Sequence, residues 1–147
     1  MDDPGADDGL SRAREHGAAW RLLRALASVL VGRATRLPDS LLHDYPELGE
    51  ARWRRGGLPP RVGGWCLGRP SVAAITLGRT IFLAPGAQLA PELLLHELRH
   101  VHQFAADRAF PLRYVMGSLR HGYARNPYET DACRFAASRT SGASPTA

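Results

Sequence analysis

The segment Pro91-Glu92-Leu93-Leu94-Leu95-His96-Glu97-Leu98-Arg99-His100-Val101-His102-Gln103-Phe104-Ala105-Ala106-Asp107-Arg108 governs how the rest of the chain is read. Pro91 suits the first position of a helix, where its missing N–H would lack a partner anyway, and Glu92 falls in the first turn, near the positive end of the helix dipole. The pattern predicts a helix running to about Arg108. On a wheel of about 100° per residue, Leu94, Leu98, Val101 and Ala105 share one side, which is expected to face a core. His96 and His100, four residues and about 400° apart, share the other side and are expected to face a cleft. Two imidazoles so placed, with Glu97 beside them, form HExxH: both histidines can reach one zinc ion, and Glu97 can act as general base toward water. His102 falls off that face and is expected to be exposed or hydrogen-bonded.

HExxH also arises by chance. Its weight here comes from context: the pattern is helical, it follows a strand hairpin, and the face opposite the histidines is apolar. A catalytic zinc (Zn2+) commonly has three protein ligands and one open position, so a third donor is required. The longer HExxHxxGxxH pattern is excluded by Gln103 and Ala106. Downstream, Asn126-Pro127-Tyr128-Glu129-Thr130-Asp131-Ala132 reads as the start of a second helix, with Glu129 projecting from its first turn as the favoured ligand. The alternative is structural: Asn126 as N-cap, Pro127 at N1 and Glu129 at N3 resemble a capping box that needs no metal. His121 and then Asp131 are the other ligand candidates.

Upstream, residues 72–83 read as two short strands. Ile75 and Leu77 are spaced by two, as are Ile81 and Leu83, and Gly78-Arg79 supplies a tight turn. The stretch from Arg52 to Pro70, rich in Gly, Pro and Arg, reads as an exposed loop anchored by Trp53 and Trp65. Residues 18–34 carry Trp20, Leu23, Leu26, Ala27, Leu30 and Val31 at steps of three and four, an amphipathic helix expected to cover a core. Its arginines read as a solvated face rather than a membrane-binding one. A shorter helical piece is expected around Ser40 to His43. Residues 1–16 are polar and contain Pro4, Gly5 and Gly9, so a disordered tail is expected there, with a second one at 139–147. The remainder, 17–138, is read as one domain.

With 147 residues, the chain is near the size of one ordinary domain, so one core and one site are expected. The 19 basic residues are all arginine, and four of the 14 acids lie at Asp2, Asp3, Asp7 and Asp8, leaving 19 arginines against 10 acids in the rest of the chain. Such a surplus can signal nucleic-acid binding, but no module signature accompanies it, and the absence of lysine beside abundant Ala, Gly and Pro fits coding bias. Nucleic acid is therefore disfavoured as a partner, and the arginines between Arg52 and Arg61 are at most a substrate-facing rim. Cys66 and Cys133 form no CxxC pair and read as buried or free thiols. No stretch reaches the roughly 18–20 apolar residues of a membrane span. The default compartment is the cytoplasm, with export by a non-conventional route left open.

Together, Ala74-Ile75-Thr76-Leu77-Gly78, Ile81-Phe82-Leu83-Ala84-Pro85-Gly86 and Leu94-Leu95-His96-Glu97-Leu98 through His100, Val101 and Gln103 resemble the bacterial metallopeptidase-like domain associated with contractile injection systems. More broadly they are similar to the small gluzincins. The resemblance implies an α+β, zincin-like fold, with a short antiparallel hairpin or small sheet packed on the active-site helix and further helices. It implies His96, His100 and Glu129 as zinc ligands, Glu97 as the base, and an edge strand near Thr80 to Leu83 able to pair with an extended peptide. Gluzincins commonly carry an aspartate four residues after the ligand glutamate to orient a histidine, and Cys133 stands there instead. Asp107 or Asp131 is the candidate substitute, and Tyr114, Tyr123 and His121 are candidates to stabilise an oxyanion. The expected function is zinc-dependent hydrolysis of a peptide or protein substrate. A zinc-binding interaction module without turnover is the alternative.

Overall fold

Gly78, at φ 62°, takes the first central position of a two-residue turn in a conformation that glycine adopts without steric cost. That turn joins β3 (Ala74–Leu77) to β4 (Thr80–Leu83) in the register expected of a hairpin, with Leu77 opposite Thr80 and Ala74 opposite Leu83. These strands belong to a computed structural model that describes residues 26–66 and 70–142. The sheet has four strands in the order β1-β2-β4-β3, with β1 at Arg33–Ala34 and β2 at Arg52–Arg55. β2 runs parallel to β4 and antiparallel to β1. The strand at Thr80–Leu83 is therefore interior, not the edge expected from the sequence; among the described residues the edges are β1 and β3.

The reason lies in β2, which falls inside the stretch read as a loop. Its alternation is hidden because Trp53 is the single apolar residue of Arg52-Trp53-Arg54-Arg55. Trp53 is buried and donates its Nε1–H to the Leu48 carbonyl at 2.8 Å, as an anchor should. Arg54 Nη2 donates to the Gly32 carbonyl at 2.8 Å, and Arg55 Nη1 lies 3.0 Å from the Pro85 carbonyl and 3.1 Å from that of Ala87. These two guanidinium groups tie the carbonyls of neighbouring loops to β2, a role in the fold.

The same stretch also holds a helix, α2 (Pro59–Cys66), opened by two prolines. Its Gly63-Gly64 pair permits close packing rather than a loop: a Cβ on Gly64 would stand 2.4 Å from Ser71 Cα. Gly64→Ala is accordingly expected to cost about 1–3 kcal/mol through forced backbone displacement, read as a lower midpoint in chemical denaturation; an unchanged midpoint would contradict this packing. Trp65 is 80% exposed, so among the described residues it is not the buried anchor expected.

After α1 (Asp39–Asp44) and a 3-10 turn at Pro46–Glu50, the core is closed by α3 (Pro91–Ala106). Leu94, Leu95 and Leu98 are fully buried with Ile81, Leu83 and Leu48, each such side chain contributing about 1.5–3 kcal/mol by leaving water. Ala105, assigned to that side by the wheel, is instead exposed, because α3 ends one residue later at Ala106. α4 (Phe110–His121) and α5 (Pro127–Ser141) complete the described chain. Asn126, fully buried, accepts from the Tyr128 N–H and donates to the Tyr114 carbonyl and the Ser118 hydroxyl, binding the start of α5 to α4.

At the ends, residues 26–31 are helical, but the helix stops at Gly32 instead of Ala34 because Arg33 and Ala34 pair with β2. Leu26, Leu30 and Val31 are exposed, contrary to the expected core-covering face. α5 runs through Ser141, so 139–141 are helical rather than tail; Arg139 bonds Glu47 at 2.7 Å across to the 3-10 turn. The expected tail at 1–16, residues 18–25 and the last five residues lie outside the described residues. Among the described residues, no helix is long and apolar enough to cross a membrane.

Candidate metal centre

α3 and α5 pack side by side, and three side chains meet between them. His96 Nε2 lies 3.2 Å from His100 Nε2 and 3.3 Å from Glu129 Oε2, and His100 Nε2 lies 3.2 Å from Glu129 Oε1. These separations can be tested against a metal. The two histidines meet different oxygens of Glu129, and one donor atom from each of the three side chains lies within 4.8 Å of the other two, close enough for one ion to reach all three. The group His96, His100 and Glu129 can hold a metal ion. Of the other candidate donors, His121 is exposed at the end of α4, and Asp131 is engaged elsewhere; neither belongs to the cluster.

Glu129 is free to point inward because Asn126 alone caps α5. The carboxylate reaches the two histidines and the Tyr114 hydroxyl, which donates to its Oε1, so no capping box forms. Burial opposes its charge, yet hydrogen bonds from His100, His96 and Tyr114 hold its carboxyl well below the usual range. An ionised carboxylate oxygen suits a dication.

His100 is oriented by Gln103, which in the sequence marks only the absence of a longer motif. Gln103 Nε2 donates to the Tyr128 carbonyl at 3.1 Å and to Asp131 Oδ2 at 2.8 Å, both acceptors. Its Oε1 must therefore face His100 Nδ1, 2.7 Å away, and accept that N–H. With Nδ1 committed as donor, Nε2 is the nitrogen turned to the metal position, which is how such ligands are generally fixed. Asp131 is in turn held by Arg99 Nε at 2.7 Å, a contact that keeps its carboxyl below the usual range. Asp131 thus supports His100 at one remove, through Gln103. The signal was spacing: Gln103 sits three residues beyond His100, on the same face of α3. Gln103→Leu is expected to weaken zinc binding about 10–100-fold in a competition titration against a chelating dye, and an unchanged affinity would contradict this role.

His96 has a softer partner. Cys133 Sγ lies 3.6 Å from His96 Nδ1, occupying the place where the resemblance led one to look for an aspartate. Cys133 is exposed and free; Cys66 lies in α2. Asp107 supports no ligand: it bonds the Ala109 N–H and pairs with Arg113 at 2.8 Å. His102 is hydrogen-bonded to Glu50 at 3.1 Å, off the metal face as expected.

Glu97 follows His96 on α3 but stays out of the donor cluster. The Thr76 hydroxyl, from β3, lies 2.7 Å from its Oε2 and donates to it. Burial pushes the Glu97 carboxyl up, against the pull of His100 and Thr76, which makes it a stronger base than a solvated glutamate. Thr76 carried no mark in the sequence; only the hairpin register places it above Glu97. Tyr114 is used up on Glu129 and stacks edge-on against His100, with ring centroids 5.9 Å apart. Tyr123 lines the open space beside Glu97, where burial and the nearby Glu129, to which it also hydrogen-bonds, push its phenol up.

Residues 66–108 of the chain, which include β3, β4 and the HExxH segment, match the family described as the eCIS core domain, and so tie this segment to extracellular contractile injection systems. No curated protein and no solved structure matches the chain.

Proposed function

We propose that the protein is a zinc-dependent hydrolase of peptide bonds, built on a zincin-like scaffold and working with an extracellular contractile injection system. The observation that carries this reading is the meeting of His96, His100 and Glu129, with one donor atom of each within 4.8 Å of the others, and a buried Glu97 one residue from the first. His96, His100 and Glu129 would hold the ion. Zinc held there supplies Lewis acidity, lowering the pKa of water toward neutrality and polarising a carbonyl.

The remaining roles fall to the chain itself. Among the described residues, no strand pairs with the outer side of β3. The Ala84 N–H bonds the Ala73 carbonyl at 2.8 Å, so by strict alternation the backbone groups of Ala74 and Thr76 point away from β4. Those groups can bind an extended peptide as an added strand and hold its scissile carbonyl beside Glu97. Glu97 takes a proton from the attacking water and returns it to the leaving amine, while Thr76 fixes the carboxylate. Tyr123 donates its hydroxyl hydrogen to the oxyanion that develops.

The test is a pool of proteome-derived peptides incubated with zinc-loaded protein and read by mass spectrometry. New termini are expected to appear, to vanish with a chelator and to return when zinc is restored. Cleavage no greater than in a protein-free control, or cleavage indifferent to the chelator, would sink the proposal.

A further inference from the structure

Next to the candidate centre, the chain encloses a cavity of about 530 Å³ whose lining includes Glu97, His100 and Glu129. Its other walls are mostly apolar and come from four elements, among them Val62 of α2, Leu77 of β3, Phe104 of α3, and Phe110, Val115 and Leu119 of α4. The carboxylates it touches are already engaged, Glu129 by His96, His100 and Tyr114, and Glu97 by Thr76. At the rim, Leu119 is 78% exposed, Val115 54%, Val62 51% and Leu77 49%. Scattered exposed apolar residues need no explanation, but four from three elements converging on one concave space mark a binding surface.

Direction follows from the two ends of β3. Residues 71–74 lie beside Glu92, Leu93 and His96 in a second cavity, whereas 74–77 lie beside His100 and Phe104 in the apolar one. β3 and α3 thus advance in the same sense along the site. A peptide added antiparallel to β3, the commoner and slightly stronger pairing, runs the other way. Its residues before the scissile bond then pass over Leu77 and the apolar cavity, and those after it pass toward Leu93.

We propose that this cavity is a specificity subsite for a large apolar side chain on the N-terminal side of the scissile bond, an inference that rests on the peptidase reading above. The substrate class is a polypeptide segment that is at once extended and apolar. Unfolded or flexible stretches expose such segments, whereas folded domains bury them.

Two measurements test it. In the cleavage profile of the peptide pool, large apolar residues are expected to be enriched before the cut, and Leu119→Glu is expected to reduce the preference for them over small polar residues about tenfold or more. The second readout needs no turnover. Calorimetry on the zinc-loaded Glu97→Gln protein compares acetyl-phenylalanine hydroxamate with acetyl-glycine hydroxamate, whose metal-binding group stands where the scissile carbonyl would. The phenylalanine compound is expected to bind about tenfold tighter or better, with the advantage lost in Leu119→Glu and in Val115→Glu. Two mostly exposed rim positions keep the test independent of folding. Cleavage without apolar preference, or equal binding of the two hydroxamates, overturns the subsite and leaves the peptidase reading standing. Failure to cleave any peptide overturns the peptidase reading, and the subsite with it.

Discussion

Glu97→Gln is expected to retain zinc while kcat/KM for peptide cleavage falls about 10²–10⁴-fold, the usual worth of a positioned general base. Three observations set the two effects apart. Glu97 is not one of the three clustered donors, so its charge is not needed to hold the ion. The amide is isosteric, and its oxygen can still accept from the Thr76 hydroxyl that now lies 2.7 Å from Oε2. Burial already disfavours the charged carboxylate, so a neutral side chain there should not lower the melting temperature. Activity retained at the wild-type level, or zinc lost along with activity, would show that Glu97 serves the fold or the metal instead of the proton transfer.

Glu129→Gln is expected to act on the metal. Zinc that binds only the folded protein, supplied at about a thousand times its dissociation constant, stabilises it by about 4 kcal/mol, and the thermal midpoint of the wild type should rise accordingly. In Glu129→Gln that zinc-dependent rise should disappear, because the ionised donor is gone while the histidines remain. If Glu129 merely capped α5, the variant would lose about 0.5–2 kcal/mol with or without zinc and keep the zinc-dependent shift. Asn126 already accepts the Tyr128 N–H, so the capping role is filled by another residue. Thermal scans of both proteins, with and without zinc, separate the two outcomes.

Much of this centre was legible because helical spacing is a strong local rule. The interval between His96 and His100 places two imidazoles together whatever surrounds them, and Asn126-Pro127 announces a helix from which Glu129 can project. What the sequence concealed depends on neighbours distant along the chain. β2 reads as loop because its arginines bond the carbonyls of Gly32, Pro85 and Ala87, and without it the wrong strand of the hairpin seems to be the edge. Gly63 and Gly64 carry the mark of a turn but serve close packing within a helix. Thr76 and Gln103 have ordinary identities and acquire meaning only from what they touch. The resemblance to the injection-system domain located the hairpin and α3 but left the arrangement around Cys133, Gln103 and Asp131 to be found in the fold.

Whether His96, His100 and Glu129 jointly hold one zinc ion is most directly tested by native mass spectrometry of the full chain after zinc loading and exhaustive buffer exchange. One ion per chain is predicted for the wild type and for Glu97→Gln, and none for His96→Ala, His100→Ala or Glu129→Gln. A metal-free wild type, or zinc retained equally by the three ligand variants, would contradict the assignment.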